Sequence, residues 1–283
     1  MEQTTFATTA QLLRPYCPGL VIDETAIMRF SWKVLLVIFV TLFSFHTRAQ
    51  PVATVAAASD LKFAVEEIAK KFTAQTGHQL RLIFGSSGNF YAQILQGAPF
   101  HLFMSADERF VFKLADAQKT IDRGKLYAYG RIGLIVPKGS PVKVDGELKG
   151  LAAAIEAGQV KRFSIANPVH APYGMRAQEA LKHAGLWGKI EPMLVYGENV
   201  SQAAQFATSG STQGGIIAYS LALAPQVGQL GEFALIPQSW HEPLAQRMVL
   251  TRQAPDSARA FYDYISQPDA QGIMARYGFI MPK

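Results

Sequence analysis

The sequence is poor in cysteine and in charged residues. Of its 283 residues only Cys17 is a cysteine, and charged side chains make up 17% of the chain against 49% hydrophobic residues. A single thiol cannot form a disulfide within the chain, and no cysteine downstream of it can act as a metal ligand or a nucleophile. The low charge and the large apolar share exclude a disordered chain and are typical of a protein with sizeable cores.

Basic residues are in slight excess but are not clustered. Lys and Arg number 27 against 21 for Asp and Glu, which gives a formal net charge of +6. A nucleic-acid-binding face concentrates its Lys and Arg in one patch or stripe, whereas no run of five basic residues occurs here. We therefore expect no nucleic-acid partner.

Motifs for metal-dependent or nucleotide-dependent catalysis are missing. The HExxH, phosphate-loop and dinucleotide-binding glycine patterns do not occur, and the histidines after residue 50 have no metal-ligand spacing. We therefore expect no metal cation, no cofactor and no enzymatic activity. A hydrolase or transferase that uses His170 and Tyr173 remains open as an alternative.

Residues 28–49 have the three-part layout of a secretory signal peptide. Residues 28–33 carry positive charge, residues 34–45 form an apolar run, and small residues precede a cleavage position after Ala49. The apolar run is too short to span a bilayer comfortably. The sequence therefore predicts a periplasmic protein with a cleaved signal. Residues 1–27 are an upstream extension, either a genuine one or the product of a start codon placed before the true start at Met28.

Strand and helix patterns alternate along the rest of the chain. The continuous apolar run at 52–58 predicts a buried strand, and the apolar spacing from 61 to 72 predicts a helix. Repetition of this succession predicts an α/β fold with mainly parallel sheets flanked by helices. The region 126–137 reads as one apolar strand region, and 258–277 reads as one helix.

The number of α/β units predicts two lobes. We assign residues 50–130 and 241–283 to lobe 1 and residues 131–240 to lobe 2, so that the last strand and helix return to the first lobe. Such a division makes the chain cross twice between the lobes and implies a hinge.

Small or hydrogen-bonding residues stand at four junctions where a strand leads into a helix. They occupy positions 59–60, 86–88, 171–174 and 198–201. Ligands of open parallel sheets bind at the carboxyl ends of the strands, where helix N-termini present free N–H groups and a positive dipole end. Convergence of these junctions would hold an anion without Lys or Arg. Alternatively, Ser59 and Ser87 are plain helix N-caps and Tyr173 is a core aromatic.

These junctions and several other segments resemble the periplasmic molybdate-binding proteins of ABC importers. That family is a branch of the two-lobed, type II-like periplasmic substrate-binding proteins. Together the matching segments cover nearly the whole chain after residue 50 in the family's order. They are AAASDL at 56–61, GSSG at 85–88, GAP at 97–99, FMSAD at 103–107, NP at 167–168, APYG at 171–174, ENV at 198–200 and YGF at 277–279.

The resemblance implies a monomeric protein that binds molybdate, and usually tungstate, and delivers it to an ABC permease in the inner membrane. The family's ligand positions fall on Ser59, Ser87, Tyr173 and the N–H group of Val200. Asp60 is a fifth candidate, at a position where the branch with Tyr173 can have asparagine. Sulfate, phosphate or another oxyanion remains an alternative ligand.

Asp60 has two possible roles in such a site. A carboxylate aimed at a dianion is repulsive, so one expectation is that Asp60 offers its backbone N–H while its side chain turns away and caps the helix. The competing expectation is that its carboxylate accepts a hydrogen bond from a protonated oxyanion, which would suit phosphate.

Overall fold

The computed structural model describes residues 52–282, and the predicted signal at 28–49 and the extension before it lie outside the described residues. The strands are β1 (Ala53–Ala58), β2 (Leu80–Gly85), β3 (Leu102–Ser105), β4 (Lys125–Gly130), β5 (Ile132–Pro137), β6 (Phe163–Ala166), β7 (Leu194–Gly197), β8 (Gly215–Ala218), β9 (Gly231–Leu235) and β10 (Leu244–Leu250). The helices are α1 (Lys62–Thr76), α2 (Ser87–Leu95), α3 (Glu108–Asp116), α4 (Lys149–Glu156), α5 (Pro172–His183), α6 (Trp187–Ile190), α7 (Val200–Thr208), α8 (Tyr219–Ala222), α9 (Pro225–Gly228), α10 (Asp256–Tyr264) and α11 (Pro268–Arg276). No helix among residues 52–282 has the length and apolarity needed to cross a membrane.

In residues 52–282 the strands form two five-stranded sheets with the same plan. The first sheet has the order β2-β1-β3-β10-β4, and the second has the order β7-β6-β8-β5-β9. In each sheet the fourth strand of this order is antiparallel to its neighbours, while the other pairings are parallel. The prediction of an α/β fold with mainly parallel sheets and flanking helices is confirmed.

The region 126–137, predicted as one strand region, is two strands that belong to different sheets. Gly130 ends β4 opposite Leu244 of the first sheet, and Ile132 begins β5 opposite Ala218 of the second. Arg131 alone separates them, so the chain passes between the sheets in an extended conformation that leaves no turn signal in the sequence. β10 returns the chain to the first sheet. The residue limits assigned to the two lobes stay a prediction.

The C-terminal helical region also divides. Residues 258–277 were expected to form one helix, but α10 ends at Tyr264 and α11 begins at Pro268. Proline lacks the N–H that a helix interior requires and fits at the first helical position, where no such bond is needed. Pro172 likewise occupies the first position of α5.

An aromatic cluster joins the C-terminal helices to the first sheet. Phe72 of α1 is buried and lies edge-on to Phe261 and Tyr264 of α10, with ring centroids 5.1 and 5.3 Å away. Such pairs add to the stabilisation that burial of large apolar side chains already gives. The cluster therefore ties residues distant in sequence to the helix that follows β1.

Replacement of Phe72 by alanine should destabilise the protein strongly. Loss of a buried phenylalanine costs about 3–5 kcal/mol because it removes apolar contact and leaves a cavity. Urea unfolding of the residue 50–283 protein measures the loss. Leu95→Ala, at a half-exposed position, is the control and should cost less than about 1 kcal/mol. Equal effects of the two substitutions would contradict this role of the cluster.

Candidate functional site

A cavity lies between the two sheets, where β1, β2 and β3 of the first sheet and β6 and β7 of the second come to their carboxyl ends. Its volume is about 180 Å³. The lining consists of Ala58, Ser59, Asp60, Gly85, Ser86, Ser87, Ala106, Ala171, Pro172, Tyr173 and Val200. All five candidate residues of the sequence therefore line one cavity. Their role as ligands stays a prediction.

Three helices begin at this cavity, and the side-chain caps of two of them, α2 and α7, accept from later N–H groups and not from the first one. Asn199 caps α7 by accepting from the N–H groups of Ser201 and Gln202, at 3.0 and 3.1 Å, and does not accept from Val200. Ser86 caps α2 by accepting from a later N–H group in the same way. α5 begins with Pro172 and has no side-chain cap. The positive ends of three helix dipoles thus meet at one place.

The hydroxyls of Ser59 and Ser87 accept hydrogen bonds from the backbone, so their own hydrogens are still available to donate to another acceptor. Ser59 Oγ accepts from the N–H of Ser201 at 3.3 Å, and Ser87 Oγ accepts from the N–H of Ala106 at 3.0 Å. A hydroxyl oxygen held in this way can still donate its hydrogen to a further acceptor. The alternative that both serines are plain N-caps is wrong, because Ser86 caps α2 and the turn at Ser59 has no side-chain cap.

Asp60 belongs to a buried hydrogen-bond network. Its Oδ2 accepts from Tyr173 Oη at 2.9 Å and from Gln246 Nε2 at 2.6 Å, and Gln246 Nε2 also donates to Tyr173 Oη at 3.0 Å. Tyr127 Oη donates to Gln246 Oε1 at 2.8 Å. Asp60 Oδ1 is buried and has no hydrogen-bond partner among the described residues. The expectation that this side chain turns away to cap a helix is wrong, since neither the turn at Ser59 nor α1 has a side-chain cap.

Burial dominates the acidity of this network. It raises the pKa of Asp60 from 3.8 to about 6, although the hydrogen bonds from Gln246 and Tyr173 act in the opposite direction. The N–H groups of Asp60 and Leu61 also lower this pKa, from positions outside hydrogen-bond geometry. Burial likewise raises the pKa values of Tyr173 and Tyr127 well above the usual range, and the charge of Asp60 adds to the effect. Both phenols therefore keep their hydrogens at neutral pH.

Gln246 and Tyr127 are site residues that the sequence patterns do not single out. Gln246 is wholly buried in the middle of β10. A buried amide needs hydrogen-bond partners, so a glutamine on the same face of β10 as the buried Leu244 and Met248 was the available signal. Its partner Asp60 is 186 residues away in the chain, and no local pattern reveals that pairing.

His170 connects the two sheets next to the cavity. Its Nδ1 lies 2.9 Å from Ser86 Oγ, and its carbonyl accepts from the N–H of Gly88 at 2.9 Å. Gly88 permits this approach, because a Cβ there would overlap the same carbonyl. Tyr173, the other residue of the enzyme alternative, is hydrogen-bonded to Asp60 and Gln246 instead.

Within residues 52–282 no group of three or more His, Cys, Asp or Glu side chains could hold a metal ion.

A buried arginine also joins elements of the two sheets. Arg176 of α5 is 1% exposed and reaches Glu179 at 2.6 Å, Glu242 at 2.9 Å and Asp107 at 3.5 Å. Asp107 caps α3 after β3 of the first sheet, whereas α5 follows β6 of the second. The guanidinium therefore neutralises carboxylates from both sides of the boundary between the sheets.

Arg176→Met should lower the free energy of unfolding by about 2–3 kcal/mol. Removal of one partner from a buried ion pair typically costs 3–5 kcal/mol, and the loss is smaller here because Glu242 reaches water. Arg109→Met is a matched control, since Arg109 contacts the same Asp107 and Glu242 but is 54% exposed; it should cost less than about 1 kcal/mol. Urea unfolding compares the two, and an Arg109 effect as large as that of Arg176 would count against the buried link.

Two sheets that direct helix N-termini and hydroxyls into one shared cavity are the arrangement of a binding protein for a small solute. The chain belongs to the bacterial extracellular solute-binding proteins, whose family model matches residues 53–280. The molybdate-binding protein ModA of Rhodobacter capsulatus is 33% identical over 227 residues, which cover 80% of this chain and 86% of that protein.

Solved structures agree with this family. The periplasmic molybdate-binding protein of Azotobacter vinelandii matches with a TM-score of 0.74 and 29% identity, over 82% of this chain and 100% of that one. The sulfate-binding protein SubI from Mycobacterium tuberculosis matches with a TM-score of 0.67 and 16% identity, over 81% and 86%, which shows a shared fold alone. The resemblance found in the sequence and the two-lobed fold it implied are confirmed. The relatives are solute-binding proteins and not enzymes, as expected.

Proposed function

We propose that this chain binds molybdate, and tungstate as well, in the periplasm and delivers it to an ABC permease in the inner membrane. It acts as a monomer and without a cofactor, because the oxyanion is its cargo. The signal at residues 28–49 is removed on export. Binding involves no chemical step: the two lobes close around the anion and later release it.

The observation that carries the proposal is a cavity whose hydrogen-bond donors are all neutral, with Asp60 as the one carboxyl among its lining residues. Its lining contains hydroxyls and helix N-termini, and no Lys, Arg or His. Hydrogen bonds to an anion are stronger than those between neutral groups, and a helix N-terminus favours negative charge. Ser59, Ser87, Tyr173 and the N–H group of Val200 are the proposed ligands. Molybdate as the particular anion rests on the names of the relatives at 33% and 29% identity.

Contacts between the lobes support a binding cycle by closure. Ser59 meets Ser201 through two hydrogen bonds, Gly88 meets His170, and Arg176 meets Asp107. An anion in the cavity accepts hydrogen bonds from both lobes at once, so it favours the closed arrangement over any open one. The closed shape is what a permease can recognise as loaded.

Calorimetric titration of the residue 50–283 protein with molybdate, tungstate, sulfate and phosphate tests the proposal. Molybdate and tungstate should bind with similar affinity because the two ions have nearly the same size, and sulfate should bind more weakly because it is smaller. Ser59→Ala and Ser87→Ala should each weaken molybdate binding about ten- to a hundredfold, since a hydrogen bond to a charged group contributes about 1.5–3 kcal/mol.

Ser266→Ala is the matched control, because Ser266 is exposed in the turn between α10 and α11. It should leave the affinity unchanged. Tighter binding of sulfate than of molybdate, or no binding of any of the four anions, would reject the proposed function.

Phosphate is the second candidate, and the buried carboxylate of Asp60 favours it. A protonated phosphate carries a hydrogen that an ionised Asp60 could accept, whereas a fully ionised dianion offers none. Under this alternative Asp60→Asn abolishes phosphate binding, because the amide removes the negative acceptor. Under the proposed function phosphate binds weakly to both proteins.

A further inference from the structure

The two oxygens of the Asp60 carboxyl have different surroundings. Oδ2 accepts hydrogen bonds from Tyr173 and Gln246, whereas Oδ1 is buried without a partner among the described residues. Asp60 also lines the cavity and is 1% exposed. A buried carboxylate oxygen without a donor is costly, so this half of the carboxyl needs an explanation.

While Asp60 is ionised, its carboxylate holds the nearby hydrogen-bond donors, so they cannot donate to a dianion in the cavity. Tyr173 has one hydroxyl hydrogen, and its hydrogen bond to Asp60 Oδ2 uses it. The Gln246 amide is directed at Oδ2 and at the tyrosine oxygen. This side of the cavity then presents a negative charge to the anion, and like charges in a buried site repel strongly.

We propose that Asp60 binds the oxyanion as a carboxylic acid, with the proton on Oδ1 donated to an anion oxygen, so that each anion bound takes up one proton. This inference rests on the proposed function, because it requires an oxyanion in the cavity. The proton comes from solvent, no bond of the anion breaks, and the complex carries one negative charge fewer. Oδ2 becomes the carbonyl oxygen and keeps the Gln246 donor, and the Tyr173 hydroxyl, no longer held by a carboxylate, turns its hydrogen to the anion as one of the proposed ligands.

Burial favours the neutral acid of Asp60, and it outweighs the hydrogen bonds from Gln246 and Tyr173 and the nearby N–H groups, which favour the carboxylate. The titratable groups that face it are Tyr127 of β4 and Tyr173 of α5, which both stay neutral, while Gln246 of β10 does not titrate. Ser220 of α8 donates to the Asp60 carbonyl. No Lys or Arg is among the cavity's lining residues to hold the carboxylate ionised. Burial has already brought the pKa of Asp60 to about 6, and a bound dianion raises it further.

Calorimetry of molybdate binding to the wild-type residue 50–283 protein measures the proton directly. Titrations from about pH 5 to pH 8.5, in buffers that differ in ionisation enthalpy, give the number of protons taken up. Because free Asp60 is ionised above its pKa of about 6, uptake should approach one proton per anion near pH 8 and fall towards zero below pH 6. The affinity should then decline up to about tenfold per pH unit in the upper part of the range.

Asp60→Asn provides the matched comparison, because the amide is a neutral donor of the same shape at any pH. The variant should bind molybdate without taking up a proton, and above pH 8 it should bind more tightly than the wild type. His170, the imidazole next to the cavity, is present in both proteins, so any contribution it makes to the pH dependence appears in both.

The outcomes separate the inference from the function on which it rests. Molybdate binding to the wild type without proton uptake, or with the same pH dependence in Asp60→Asn, overturns the inference and leaves the proposed function standing. Failure of the wild type to bind molybdate at any pH rejects the proposed function itself. The wild-type measurement decides the matter even if the variant does not fold.

Discussion

Under the proposed function one constraint governs the site: an oxyanion that loses its water must be surrounded by hydrogen-bond donors that carry no competing charge. Parallel strands meet this constraint because their carboxyl ends lie at one edge and feed helices whose N–H groups point back towards that edge. Two sheets of the same plan face each other here, so helix starts from both sides meet at one cavity. Under that proposal, selectivity among anions depends on the size of the cavity and the number of its donors, and not on a cationic side chain.

The close approach of these elements requires residues without side chains at a few positions. A Cβ at Gly88 would overlap the carbonyl of His170, and a Cβ at Gly130 would overlap the hydroxyl of Tyr173. Gly130 is also the last residue of β4, just before the chain enters the second sheet. The same glycine thus leaves space for the hydroxyl of Tyr173 in the Asp60 network and lies where the chain leaves the first sheet. The network and the connection between the sheets therefore share one residue.

Sequence patterns predict what is local and miss what depends on distant partners. The junctions that contain Ser59, Ser87 and Val200 could be found because a strand followed by a helix determines where the junction lies and which end of the sheet it occupies, and the family resemblance singled out these residues within them. Gln246 could not be found, since its importance comes from a contact with Asp60 that only folding creates. The split at Arg131 was missed for a related reason: an extended connection between two sheets has the same local pattern as one continuous strand.

The acidity of Asp60 and the closure of the lobes are linked through their shared contacts. Gln246 and Tyr127 come from the first sheet with Asp60, while Tyr173 comes from the helix that follows β6 of the second. Separation of the sheets would have two opposite effects on the pKa of Asp60. Loss of the Tyr173 hydrogen bond would raise this pKa, whereas entry of water would lower it. Burial is the larger influence, so the closed arrangement has the higher pKa. Under the proposed protonation of Asp60, a proton on this carboxyl favours closure, and a bound dianion, which also attracts that proton, acts in the same direction.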